Sequence, residues 1–265
     1  MARAAAMDRR FGHRPRASLL WLCCSICLIC SPCFCGTRSV PRVQRGASLS
    51  AATGMVHAML HVLDMEESLS FYKRQGMRLL SNRGATAFVG YGGLRDMASF
   101  SLELAAKPEL RPGSFGGLTL AGEEEEELGD PNGYRVQTLA GEPMIREICL
   151  QTGNLEKSVA FYTEKLGMMV KSKDGMASQC QLGYASGPQT SLCLRQSDSP
   201  IDVGTGFDHL VFATADVPCA AETLQAAGVP LVLPPTVMFG VNITGIVDAD
   251  GYKVYLVDEA DYQRR

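Results

Sequence analysis

Past residue 54 the chain has only four cysteines, Cys149, Cys180, Cys193 and Cys219, and no CxxC pair. That spacing indicates neither a zinc ribbon nor a disulfide framework. Basic clusters are missing as well. The whole chain has 25 Lys and Arg against 28 Asp and Glu; residues 1–54 take eight arginines and one acid, Asp8, leaving 17 against 27. An acidic body without a basic patch argues against nucleic acid as a partner, because phosphate backbones are held by concentrated positive charge. Histidine is scarce, with only His57, His61 and His209 beyond the first 54 residues. The longest apolar run, Leu19 to Phe34, falls short of the roughly 20 residues that a membrane-spanning helix needs.

Residues 1–54 are of another kind. They contain no lysine, but they hold the only tryptophan, Trp21, and six of the ten cysteines. An arginine-rich head precedes the apolar core, and a basic stretch rich in Ser and Ala follows it. The core fits the apolar region of a signal peptide, and the stretch after it reads like a transit peptide. The expectation is a two-part targeting leader over residues 1–54, directed to a plastid. A mitochondrial presequence, entry to the secretory pathway and a Cys-rich membrane anchor are the alternatives. About 210 residues remain, enough for two small domains with their own cores.

Those residues repeat. HAMLHVLDMEESLSFYKRQGM, from His57 to Met77, returns 90 residues later as EICLQTGNLEKSVAFYTEKLGM. Glu66 matches Glu156, Ser68 matches Ser158, and Phe71-Tyr72 matches Phe161-Tyr162. Gly76-Met77 matches Gly167-Met168 once one extra residue is allowed. A fixed period sets the architecture before any site is considered. Each copy reads as an apolar strand followed by a helix. Asp64 is a predicted N-cap with Glu67 three residues on, and Gly76 sits where a left-handed terminating residue belongs. Strands are predicted at 77–81, 85–89 and 99–104, giving a βαβββ unit.

After Leu104 a Pro/Gly-rich break leads to a short strand, 117–120, and to the acidic run Glu123–Glu127, expected as a solvated loop. DPNGYRV closes the first half. In the second half the closing segment is longer. FDHLVF is a strand, Asp216 caps a helix over 217–227, and a Pro-rich strand region leads to DADGYKV. The two D-x-x-G-Y motifs lie 118 residues apart, against 90 for the opening units, so the first half is 28 residues short. The missing piece corresponds to a helix and a strand or two.

This succession resembles glyoxalase I of the vicinal-oxygen-chelate superfamily over most of residues 55–262: strand–helix–Phe-Tyr–Gly-Met, a glutamate between leucines, Gly-Phe-x-His, then Asp-x-Asp-Gly-Tyr-Lys. It is most similar to the form fused in tandem in plants, a likeness carried by VDADGYKVYLVDEADY (Val247–Tyr262). The resemblance implies an α+β fold of tandem βαβββ units in two domains, 55–142 and 143–265, with the first shortened. It implies a divalent metal, nickel or zinc, held by His57, Glu103 and His209. At the position of the family's second glutamate, its catalytic base, stands Tyr255. His61 and Lys107 occupy positions where the family contacts substrate. An opposite site would draw on Glu147, Cys193, Gly117 and Gln137, and Gly117 offers it no ligand.

The residues themselves support part of this. Strand period puts His57, Met59 and His61 on one face, so the two imidazoles are expected to share a cavity. Glu103 lies between Leu102 and Leu104, where a carboxylate is costly unless paired or bound to metal. Two imidazoles and a carboxylate suit Zn²⁺, Ni²⁺ or Fe²⁺, although a lone strand histidine is more often a packed residue.

The activity implied is conversion of the methylglyoxal–glutathione hemithioacetal to S-lactoylglutathione. Glu103 and Tyr255 are the catalytic candidates. A phenol's ordinary pKa of about 10 suits a base poorly at neutral pH, which favours Glu103. A non-catalytic small-ligand-binding protein and another metal-dependent enzyme, an epimerase or a dioxygenase, are the alternatives. The sheet edge left by the shortening makes a homodimer an expectation too.

Overall fold

The computed structural model describes residues 51–264 except 95, 175–177 and 188; the leader expected over residues 1–54 lies outside them up to residue 50. The first unit is β1 (Gly54–Val62), α1 (Met65–Arg74), β2 (Arg78–Asn82), β3 (Thr86–Gly90) and β4 (Ser101–Ala106). The second holds only strands: β5 (Phe115–Gly122), β6 (Glu126–Gly129) and β7 (Arg135–Ala140). The third repeats the first as β8 (Met144–Thr152), α2 (Leu155–Ala160), β9 (Met169–Lys173), β10 (Gln179–Gly183) and β11 (Ser191–Gln196). The fourth is β12 (Phe207–Thr214), α3 (Val217–Ala226), β13 (Leu231–Met238), β14 (Val241–Val247), β15 (Lys253–Asp258) and a closing helix, α4 (Glu259–Arg264). Set against the fourth unit, the second lacks the helix and one outer strand. Among the described residues no helix is long and apolar enough to cross a membrane.

Local chemistry explains the repeated helices. Asp64 is extended, and its carboxylate accepts from Glu67 N at 2.9 Å; Asn154 does the same for Lys157 N. Each thereby satisfies an amide that the first helical turn leaves without a partner. Gly76 and Gly167 follow the helices at φ +81° and +73°, the left-handed region that glycine enters without a Cβ penalty. The one extra residue in the third unit is absorbed inside the helix, where Phe161–Lys165 forms a π turn.

The sheets do not follow the two halves of the chain. An eight-stranded sheet runs β13-β14-β15-β12-β1-β4-β3-β2, so the first unit pairs with the fourth through β1 and β12. A seven-stranded sheet runs β6-β7-β5-β8-β11-β10-β9, joining the second unit to the third. One apolar cluster takes in both sheets, with Leu60, Leu104 and Leu210 from the first and Leu118, Ile148 and Leu194 from the second.

Paired polar links add direction to that contact. Tyr72 donates to Asp130 at 3.3 Å, and Tyr162 donates to Asp248 at 2.8 Å. Each aspartate also accepts backbone N–H bonds inside its own D-x-x-G-Y turn. The Phe-Tyr and Asp-Gly-Tyr motifs of the repeat are therefore structural ties between units.

The acidic run is exposed, as expected of a solvated segment, but it is not all loop. Glu126 and Glu127 open β6, an edge strand antiparallel to β7, where Glu127 pairs with Arg135 at 2.9 Å. With no apolar alternation, the sequence pattern of this strand is invisible.

Candidate metal centre

Met59 marks the middle of the site. It lies between His209 of β12 on one side and Glu103 of β4 on the other. Laterally opposed residues of neighbouring strands project to the same face, and His57, two positions earlier on β1, shares that face. The atoms that His57, Glu103 and His209 can offer a metal lie within 4.8 Å of one another. They stand at a cavity of about 700 Å³.

Each imidazole is oriented from behind. His57, 6% exposed, pairs its Nδ1 with the Tyr262 hydroxyl at 2.9 Å, and its Nε2 is 3.5 Å from Glu103 Oε2. His209 holds Asp208 Oδ2 at 2.6 Å through Nδ1, and Lys253 Nζ reaches the other oxygen of Asp208 at 2.9 Å. A register shift where β1 meets β12, at Met59/Leu60, skips Asp208, so two successive residues of β12 serve the site, a common use of a bulge. With Nδ1 engaged on both rings, Nε2 is the nitrogen that would turn to a metal, the usual arrangement of ligating histidines; on His57 it now faces Glu103. The donor set fits a divalent cation of the zinc and nickel type.

The charges agree. The hydrogen bond from His209 holds the Asp208 carboxyl far below the usual carboxylate range; burial opposes this and Lys253 adds to it. At Glu103 burial acts to raise the pKa, but the hydrogen bond and charge of His57, with His209 and Arg83, outweigh it and leave the group below its ordinary value. Both carboxylates therefore stay ionised at neutral pH.

Tyr255 is close by. It lies opposite Val211 in register, and its ring meets that of His209 edge-on, with 4.8 Å between centroids. The ring crosses β14 over Gly245, where a Cβ would fall 2.6 Å from it. On the far side of the cavity the β13–β14 hairpin supplies Val232, Leu233, Met238 and Phe239, and Phe239 at the turn is 83% exposed at φ +51°. Arg83 is the lysine or arginine found among the described lining residues.

His61 and Lys107 stand elsewhere. Both line a separate cavity of about 220 Å³, and His61 Nδ1 is bonded to the Thr205 carbonyl at 2.7 Å. The expectation that His57 and His61 share a cavity is thus corrected: past the register shift at Met59/Leu60 the face of β1 opens onto a different recess. Asp208 lines both cavities. On the seven-stranded sheet, Glu147 and Gln137 line a further cavity of about 700 Å³, Cys193 is buried, and Gly117 lies opposite Cys149 at a bulge. Sequence reasoning missed Asp208, Tyr262 and Arg83. Of these only Asp208, adjacent to His209 in GFDHL, carried a local signal.

Residues 144–256 match the Glyoxalase/Bleomycin resistance protein/Dioxygenase superfamily. A lactoylglutathione lyase of Oryza sativa subsp. japonica is 26% identical over 265 residues, covering 78% of this chain and 90% of that protein. A probable chloroplastic lactoylglutathione lyase of Arabidopsis thaliana is 25% identical, over 78% and 73%. The crystal structure of glyoxalase I from Zea mays superposes with a TM-score of 0.70 at 26% identity, covering 80% of this chain and 94% of that one. The third and fourth units thus match that superfamily, and the chain as a whole is similar to plant glyoxalase I. Its two-sheet α+β architecture is that of the tandem plant form, with the second unit reduced to three strands. The fold alone extends further: a putative dioxygenase from Bacillus subtilis, 13% identical, superposes with a TM-score of 0.62.

Proposed function

We propose that the protein is a metal-dependent lyase of the glyoxalase I type, acting on a glutathione hemithioacetal of methylglyoxal or a related dicarbonyl adduct. The observation that carries this is the convergence of His57, Glu103 and His209, each braced by an outer partner or a neighbouring charge, in a chain similar to plant lactoylglutathione lyases.

His57, Glu103 and His209 would hold nickel or zinc. When bound, the cation supplies Lewis-acid polarisation of the two substrate oxygens. Glu103, kept ionised, takes the proton from the carbon bearing hydroxyl and sulfur and returns it to the neighbouring carbon, while the hydroxyl proton passes to the former carbonyl oxygen, so atoms balance as an isomerisation. Tyr255, beside His209, is the second group able to hold that proton. The apolar hairpin shields the reacting carbons from water, and Arg83 offers charge to a substrate carboxylate. His61 and Lys107, beyond Asp208, suit the far end of a long substrate.

Tyr255 at the position of the family's acid also favours a second reading, a small-ligand-binding protein with the same metal centre. The deciding assay measures S-lactoylglutathione formation by the full chain loaded with Ni²⁺ or Zn²⁺, beside His57→Ala. Metal-dependent turnover lost in the variant supports the lyase. Bound metal without turnover supports the binding protein, and no bound metal removes the ligand assignment.

Residues 55–142 and 143–265 are the proposed tandem halves, whose units exchange partners between sheets. A homodimer would use the β6 edge left by the shortened second unit, and gel filtration of the full chain tests it. The arginine-rich leader and the chloroplastic name of one similar protein support a plastid destination. Fusing residues 1–54 to a fluorescent reporter tests that route.

A further inference from the structure

The seven-stranded sheet carries a second convergence of metal-binding side chains, and we propose that Glu147, Cys149 and Cys193 form a site for a thiophilic divalent cation such as zinc. Cys149 of β8 and Cys193 of β11 are directly opposed in a parallel pair, so their sulfurs leave the same face, 3.3 Å apart. Glu147 precedes Cys149 by two residues and shares that face. The three donor atoms lie within 4.8 Å of one another.

The surroundings are arranged around these donors. Gln181 Nε2 donates to Glu147 Oε2 at 2.6 Å, and Ser172 Oγ donates to the Gln181 carbonyl oxygen at 2.7 Å. A carboxylate oriented by an amide that is itself oriented is the pattern found behind metal ligands. On β5, a Cβ at position 116 would fall 2.7 Å from Cys149 Sγ, so Gly116 leaves room for the sulfur. Two Zn–S bonds of about 2.3 Å at a tetrahedral angle set the sulfurs about 3.7 Å apart, so a few tenths of an ångström of side-chain rotation admits the ion. Glu147 lines the cavity of about 700 Å³, which gives the cation a way in and water for the open position. Cys193 hydrogen-bonds Glu147 and lies against Cys149, so the three donors already face one another. No residue is shared with the His57 centre, so the two sites fail or stand separately.

The test is a titration of the reduced, metal-free full chain with Cd²⁺ alone, followed through sulfur-to-cadmium charge transfer in the ultraviolet. Cysteines elsewhere in the chain give the same background in every variant, so differences between variants report this site. The Cys149→Ser/Cys193→Ser double variant is expected to lose one saturating step of about one cadmium per chain. Glu147→Gln is expected to keep the step with affinity weakened roughly ten-fold, and His57→Ala to keep it whole. A titration of the double variant that matches the wild type overturns the proposal. Should the double variant not fold, Glu147→Gln decides, because unchanged affinity there also overturns it.

Discussion

Tyr162 donates its hydroxyl hydrogen to Asp248 across 2.8 Å, linking the helix of the third unit to a turn of the fourth. Both groups are buried, and burial first, then the charge of Asp248, pushes the phenol well above its usual range. The phenol is therefore a permanent donor. Tyr162→Phe is expected to cost about 1 to 3 kcal/mol by leaving a buried acceptor short of a partner. Tyr72→Phe should cost less, since its bond to Asp130 is longer at 3.3 Å. Denaturant midpoints of the two variants check the order.

Asp208 should matter through His209. Replacing it with asparagine weakens the hold on Nδ1 and removes the charge that favours a metal-binding ring. Metal affinity is expected to fall by roughly 10- to 100-fold, with little change in fold. Isothermal titration with Zn²⁺ measures it, and equal affinities would remove Asp208 from the site.

Tyr255→Glu restores an acid at the family's position. A gain in turnover of roughly 10² would match the usual contribution of a general base, and no gain would favour the ligand-binding reading. The tyrosine's seat is separately testable. Gly245→Ala puts a methyl group where the ring lies, at an expected cost of about 1 to 3 kcal/mol. In a Tyr255→Ala background that cost should vanish, which a double-mutant cycle reads directly.

Glu103 predicts a pH dependence of the metal-free protein. Its folded-state pKa is depressed below the ordinary 4.5, so it adds stability above that value and loses it as the pH falls through the folded one. The stability gap between wild type and Glu103→Gln should be wide at about pH 6 and shrink below 4.5. Melting curves across that range decide it, and a gap independent of pH would mean that the carboxylate is not held by His57.

Much of this was legible in the sequence because the signals were local. The caps at Asp64 and Asp216, the repeat, and the strand parity of His57 and Met59 all depend on neighbours along the chain. The pairing of His57 and Glu103 with His209 came from the family resemblance, and the register of β1 between β4 and β12 gives its physical basis. Other features required the third dimension. Tyr262 reaches His57 from a helix 205 residues away, and Arg83 enters from the turn between β2 and β3. His61 was misread because a register shift between strands leaves no trace in either strand alone. The edge strand β6 was hidden because it is four residues long and Leu128 is its one apolar residue, too little for an alternation to show.

The seam between β1 and β12 joins residues some 150 positions apart, with Met59 opposite His209. A chain emerging from the ribosome completes α1 and the first four strands early, yet it holds only two of the three proposed cation ligands until residue 209 arrives. Contacts of such long sequence separation form late and slowly. Ion capture at His209 would then serve as a clock for the last stage of maturation, distinguishing finished molecules from those whose first four strands are still waiting for a partner.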